Sequence, residues 1–160
     1  PPALQAQGAS FVTLTRHTQL RGCIGSTVAK RPLADDVAYN AVAAASRDPR
    51  FPPVRPAELV ETRLEVTVLS PLKPLIYTDY DNLLHQLQPK VDGILLSDGR
   101  QRGLLLPQMW MRLPDPHHFV SVTARKAQIS PERLTQSPPV VEVATFQVQS
   151  FAEPGYREPG

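Results

Sequence analysis

Apolar Leu64, Val66 and Val68 alternate with polar Glu65 and Thr67, a period of two that predicts a strand with one buried face, closed by Ser70-Pro71. Phe11-Val12-Thr13-Leu14-Thr15 is β-branched or apolar. Polar Arg16-His17-Thr18-Gln19 separates it from Leu20-Arg21-Gly22-Cys23-Ile24-Gly25-Ser26, so the two runs read as strand, turn, strand. The period then changes: Leu33, Val37, Ala41 and Ala44 recur at three- and four-residue spacing. Pro32 suits the first helical position, Asp35 and Asp36 suit the positive end of a helix dipole, and Asp48-Pro49 is the expected stop.

In the second half Leu75-Ile76-Tyr77 is extended in character. Asp79 to Leu87 then carries Leu83, Leu84 and Leu87 at helical spacing up to Pro89. Gly93-Ile94-Leu95-Leu96 and Gly103-Leu104-Leu105-Leu106 flank a turn containing Asp98-Gly99, which predicts a hairpin with both strands substantially buried. Asp115-Pro116 starts a helix through about Gln128, with Phe119, Val122 and Lys126 along one side, and Val140 to Phe151 has strand composition. This order favours antiparallel sheet with helices on one face, an α+β fold, and no 20–50 residue repeat interrupts it.

Composition sharpens the picture in three places. At 160 residues the chain fits one ordinary domain or two small lobes, and 18 prolines imply short, sharply ended elements. Four of those prolines stiffen residues 48–56, Asp-Pro-Arg-Phe-Pro-Pro-Val-Arg-Pro, into a loop suited to holding side chains in place. A formal charge of +2 gives weak long-range attraction to nucleic acid unless the 17 Lys and Arg gather on one face. The single cysteine excludes an internal disulfide, and with four histidines no zinc-ligand spacing appears, so neither metal nor cofactor is expected. No run approaches the ~18 apolar residues of a membrane span, and Pro1-Pro2-Ala3-Leu4-Gln5 does not read as a signal peptide, so a cytoplasmic location is expected.

Candidate chemistry centres on Cys23. Gly22 and Gly25 beside it have no side chains to shield a ligand's approach, and Arg21, two residues away and on the same face of a regular strand, would favour thiolate over thiol. The commoner outcome for a free cysteine is packing as a small hydrophobe. Asp48 and Arg50 bracket Pro49 and either point into a cleft or pair at the surface, with each other or with helix ends. Arg16, Arg21, Arg47, Arg50, Arg55, Arg100, Arg102, Arg125 and Lys126 either converge as an anion-binding rim or are scattered solvated charge. His17 is the one histidine local enough for a Cys-His pair; His85, His117 and His118 do not make a common metal site; Met109 and Trp110 line a pocket or, more commonly, fill core.

Taken together, Phe11-Val12-Thr13-Leu14, Leu20-Arg21-Gly22-Cys23-Ile24-Gly25, Asp48-Pro49-Arg50-Phe51-Pro52-Pro53, Asp92-Gly93 and Leu106-Pro107-Gln108 resemble, in order and spacing, the AMMECR family, also called protein A of the AmmeMemoRadiSam set. The similarity runs from about residue 8 to residue 153. It implies a single AMMECR-type domain over 1–160, with two unequal lobes around a cleft and a smaller part around 75–110 inserted into or following the larger. The Cys23 motif and the Asp48–Pro53 loop would contribute to that cleft, and Gln108 joins Gly22, Gly25, Asp48 and Arg50 as a substrate-binding candidate. The upstream helical segment usual in the family is mostly absent here. Ala124-Arg125-Lys126-Ala127-Gln128-Ile129 stands where the family has Lys-Ala-Gly-Leu, keeping Lys126 and Ala127 and losing the glycine helix stop.

Two functional expectations follow from the resemblance. One is an enzyme of nucleotide, base or cofactor modification beside Memo-like and radical-SAM partners, with Cys23 as nucleophile, Arg21 stabilising its thiolate and Arg50 holding a small anionic substrate. The other is a non-catalytic small-molecule-binding or scaffold module for those partners. RNA binding by the arginines with stacking on Phe51, Tyr77 or Trp110 ranks third, since aromatics make up only 6% of the chain.

Overall fold

The computed structural model describes residues 1–159. The chain runs α1 (Pro2–Gln5), β1 (Gln7–Arg16), β2 (Gln19–Gly25), β3 (Arg31–Pro32), α2 (Leu33–Ser46), β4 (Thr62–Leu69), β5 (Lys73–Pro74), α3 (Tyr80–Gln86), β6 (Gly93–Ser97), β7 (Arg102–Leu105), α4 (Pro116–Lys126), β8 (Glu142–Phe146) and β9 (Val148–Ala152). The fold is α+β, with two antiparallel sheets in two compact units. One unit is Pro1–Ser70 together with the chain from Gln149 on; the other is Pro71–Val148.

In the first unit the strand order is β2-β1-β4-β9, with β3 paired to the start of β1. Val12 lies opposite Ile24 and Val66, and Leu14 opposite Gly22 and Leu64, so these side chains share one face. That face packs on Val37, Ala41 and Ala44, the helical stripe visible in the sequence, and makes the apolar core of the unit. Asp36 and Asn40 on the same helix are buried, bonding Ser10 and Ser26: Asp36 accepts from the Ser10 amide and hydroxyl, both at 2.8 Å, and from the Ser26 hydroxyl at 2.7 Å. Pro32 sits one place earlier than expected. Its extended ψ of 141° pairs it with Gln7, and the helix begins at Leu33.

The second unit has strand order β5-β8-β6-β7. Ile94, Leu96, Leu105, Phe119, Val120 and Ala124 fill its core, with Trp110 stacked on Phe119 at a centroid separation of 3.8 Å. Trp110 comes from a 3-10 turn, Pro107–Met111, that periodicity does not reveal. The single strand expected over Val140–Phe151 is two strands in two sheets, β8 and β9, because the chain passes between units at Val148–Gln149. The second half of the hairpin and α4 appear where expected, although α4 ends at Lys126 and Gln128 takes a left-handed φ of 60° in place of a glycine.

Candidate functional site

Strand β2 closes its sheet, so among the described residues its outer edge has no strand neighbour. At Cys23 the Asp-Pro-Arg loop supplies what a strand would. Asp48 Oδ2 accepts from the Cys23 amide at 3.0 Å, and Arg50 Nη2 donates to the Cys23 carbonyl at 3.3 Å. The two loop residues also bind each other, with Arg50 Nε donating to Asp48 Oδ1 at 3.0 Å and Nη2 to Oδ2 at 2.7 Å. Pairing with each other, one of the placements open to them in the sequence, is formed. The Arg50 guanidinium, aided by the Cys23 and Arg50 amides, holds the buried Asp48 carboxyl well below the usual carboxylate range. Arg50 keeps 54% of its side chain exposed, its charge reaches Cys23, and Asp48 holds it more firmly protonated than usual.

Cys23 is half-buried. Its sulfur lies 3.4 Å from the hydroxyl of Thr13, the residue directly opposite on β1. Arg21, expected to face the sulfur, is instead committed to Glu58: Nε donates to Oε1 at 3.0 Å and Nη2 to Oε2 at 3.2 Å, while Nη1 is buried with no hydrogen-bond partner among the described residues. Leu14 pairs with Gly22 and Thr15 with Leu20, a register shift that leaves Arg21 bulged out of the ladder. Glu58 also accepts from Arg16 Nη1 at 3.1 Å and the Arg55 amide at 2.8 Å, and these donors, Arg21 foremost, hold its carboxyl down at about 2. Phe51 lies near both cations, its ring centroid 5.4 Å from the Arg50 guanidinium carbon and 6.0 Å from that of Arg21.

The two glycines make room for protein rather than opening a path. A Cβ on Gly22 would stand 2.2 Å from the carbonyl oxygen of Ala44 in α2, and one on Gly25 would stand 2.1 Å from the ring of Phe11, its cross-strand partner. His17 sits on the hairpin tip, 66% exposed and 3.2 Å from Glu61, so the Cys-His pair is not formed. Gln108 is exposed in the second unit on the 3-10 turn Pro107–Met111, and Lys126 is exposed at the end of α4. Tyr77 and Trp110 are buried, donating to the Val141 and Asp92 carbonyls, both at 2.7 Å, which withdraws both rings from the stacking role considered for them.

Several side chains absent from the sequence-derived set lie on the Cys23 face of the sheet or beside it. Cys23, Thr13 and Glu65 are in register across three neighbouring strands, and all three therefore project from the face opposite α2. Glu65 and Thr67 are 7% and 1% exposed, although alternation assigned that side of β4 to solvent. The chain after β9 explains the reversal: Glu153 bonds Leu64 through both its amide (2.9 Å) and its carboxylate (3.0 Å), and Tyr156 and Glu158 lie next to Glu65. Burial, then the charge of Glu158 and a hydrogen bond to it, push the Glu65 carboxyl up to about 7, with Thr67 opposing. The Tyr156 hydroxyl is buried with no partner among the described residues, and its ionisation is pushed up by burial and by Glu65, Glu158 and Cys23. The one sequence signal for this cover is the Tyr156-Arg157-Glu158 string itself, after a Pro-Gly turn. Among the described residues no three His, Cys, Asp or Glu side chains are grouped as metal ligands, and no helix is long and apolar enough to cross a membrane.

The AMMECR1 family model matches residues 1–151. A protein of Methanothermobacter thermautotrophicus is 39% identical over 163 residues, spanning 97% of this chain and 80% of that protein. One from Thermococcus gammatolerans is 36% identical over 99% of this chain and 79% of its own length. The crystal structure of uncharacterized protein PH0010 from Pyrococcus horikoshii superposes with a TM-score of 0.87 at 32% identity, over 99% of this chain and 80% of that one.

Proposed function

Because the chain belongs to the AMMECR1 family, we propose that it is a thiol-dependent enzyme in which Cys23 attacks a small anionic substrate, in the modification of a nucleotide, base or cofactor beside Memo-like and radical-SAM partners. The observation that carries this reading is the clamp on Cys23. Asp48 and Arg50 fix the backbone of one half-buried residue from both sides while leaving the guanidinium half exposed beside it. A cysteine whose backbone is fixed beside a cation that still meets solvent suits a nucleophile. Arg50, rather than Arg21, supports the thiolate in this reading and receives the substrate's negative charge.

Alkylation by iodoacetamide at pH 7 tests it, since Cys23 is the sole thiol. The folded protein should react faster than the urea-unfolded chain, and Arg50→Gln should slow it. A folded thiol slower than the unfolded one rejects the nucleophile.

A second reading is favoured by the unpaired Arg21 Nη1 and the nearby Phe51, which suit an anionic, flat ligand bound without chemistry. Under it Cys23→Ser retains ligand binding and cellular function, whereas Arg21→Gln abolishes them. Loss of function in the Ser variant with binding retained decides for the enzyme.

A further inference from the structure

The first unit holds a hollow of about 350 Å³ that the thiol reading does not use, lined by the turn between β1 and β2, by the start of β4 and by the chain after β9. That volume lies within the ~300–1,000 Å³ usual for small-molecule sites. Three basic side chains from distant parts of the sequence meet there: His17 from the turn, Arg63 from β4 and Arg157 from the last segment. One carboxylate, Glu61, lines the hollow with them. It is already shared, accepting from Arg16 Nε at 3.0 Å and lying 3.2 Å from His17 Nε2. Neither Arg63 nor Arg157 has a carboxylate partner among the described residues, so the hollow carries an excess of positive charge.

The local structure holds these groups in place. Arg63 Nη1 donates to the Val60 carbonyl at 3.1 Å and to the Thr62 carbonyl at 3.0 Å, which fixes the guanidinium. The Pro154-Gly155 turn passes close beside it. Gly155 takes a left-handed φ of 84°, and a Cβ there would stand 3.2 Å from Arg63 Nε, so the glycine both makes the turn and makes room for the guanidinium. Arg157 follows two residues later. Across the sheet from Arg63 stands Thr15, 3% exposed and also lining the hollow. His17 and Thr18 keep side chains at left-handed positions where glycine would be uncrowded, and both side chains line the hollow.

We propose that this hollow binds a phosphate group, either as the free ion or as a small phosphomonoester, between the Arg63 and Arg157 guanidinia. A guanidinium fork donates two parallel hydrogen bonds to one phosphate, and a dianion relieves the repulsion between two cations that face no acid of their own. The Thr15 and Thr18 hydroxyls are further donors, and Val60, 77% exposed on the same wall, offers an apolar contact to the carbon part of an ester. The inference goes beyond the thiol reading and does not rest on it.

The experiment is a titration of the full chain with inorganic phosphate and, separately, with glycerol 3-phosphate, at pH 7 and constant ionic strength, followed by the backbone amide resonances. The amides of Thr18, Arg63, Gly155 and Arg157 should shift and saturate. Arg157→Gln, at an exposed position where folding is not at stake, should weaken binding about tenfold or more. Arg100→Gln removes the same charge from an exposed position in the other unit and should leave the affinity unchanged. Tighter binding of glycerol 3-phosphate identifies an ester as the ligand and equal binding identifies free phosphate, and either result supports the site. Shifts that never saturate overturn the proposal. So does saturable binding that Arg157→Gln leaves intact, or that both variants weaken equally, since the anion would then be answering to net charge alone.

Discussion

His17 and Thr18, the two turn residues between β1 and β2, have φ of 53° and 66°, a region in which a β-branched side chain crowds its own backbone. A two-residue hairpin turn with both centres left-handed favours glycine at the second position. Thr18→Gly should therefore stabilise the protein by about 1 kcal/mol, raising Tm by roughly 2–4 °C. A lowered Tm would mean that the threonine hydroxyl matters more than the backbone. Glu65 makes the opposite kind of prediction, one that depends on pH. Its carboxyl is raised in the folded protein from 4.5 to about 7, so the native state binds this proton more tightly than the unfolded chain does. The resulting stabilisation is complete below about pH 4.5 and is lost as pH rises through 7. Urea titrations at pH 5 and pH 8 should show the wild type losing stability relative to Glu65→Gln across that interval. A constant difference between the two proteins would show that the carboxyl ionises normally. The sign is reversed at Glu58: its lowered carboxyl stabilises above the ordinary carboxylate range, and that contribution disappears only as pH falls toward 2.

Among the elements, β2 and the Asp48–Arg50 loop act as one piece, because the loop completes the hydrogen bonding of a strand edge at a single residue. Asp48→Ala removes the acceptor of the Cys23 amide and strips Arg50 of its partner, for an expected loss of about 1–3 kcal/mol. Amide exchange should speed at Cys23 while Val12 and Leu14, in the middle of the sheet, exchange as before; unchanged protection at Cys23 would show that the edge is closed by something else. Much of this was legible in the chain. The period-two run at Leu64, Val66 and Val68, the helical stripe at Val37, Ala41 and Ala44 and the Asp98-Gly99 hairpin are local patterns, and each formed within a few residues of the expected bounds. Within the site, the Leu-Arg-Gly-Cys-Ile-Gly string located Cys23. The meaning of its glycines, however, lies in the Ala44 carbonyl and the Phe11 ring, about 20 and 14 positions away. Alternation tells which residues share a face of β4 without telling what covers that face. The cover comes from Glu153, Tyr156 and Glu158, some 90 positions along, so Glu65 reads as solvated until the chain is folded. Arg21 was misassigned to the sulfur for a related reason: a bulge breaks the i, i+2 rule that placed it there, and Glu58, on a segment with no strand or helix periodicity, claims the guanidinium.

At the scale of the molecule, the two units bury separate apolar cores. One is built on Val12, Leu14 and Ala44, the other on Trp110, Phe119 and their neighbours. The chain enters the second unit at Pro71 and leaves it at Val148, so the second unit is an insertion between β4 and β9, two strands that are neighbours in the first unit's sheet. Such an arrangement lets damage to one core be read against the other. Trp110 is the sole tryptophan and is 1% exposed, so its fluorescence reports the second core alone. Phe119→Ala removes the ring stacked on it and leaves a cavity, at a cost of about 3–5 kcal/mol. The fluorescence transition in urea should shift to lower concentration, by that free energy divided by the m-value of the transition. Amide protection of Val12 and Leu14, which belong to the other core, should collapse at a higher concentration than the fluorescence change. The thiol chemistry assigned to Cys23 would then survive the loss of the second core, because every side chain that fixes the sulfur, from Thr13 to Asp48 and Arg50, belongs to the first unit. Coincident loss of fluorescence and of Val12 protection would instead mean that the two cores unfold as one cooperative body, and that the Cys23 site depends on both.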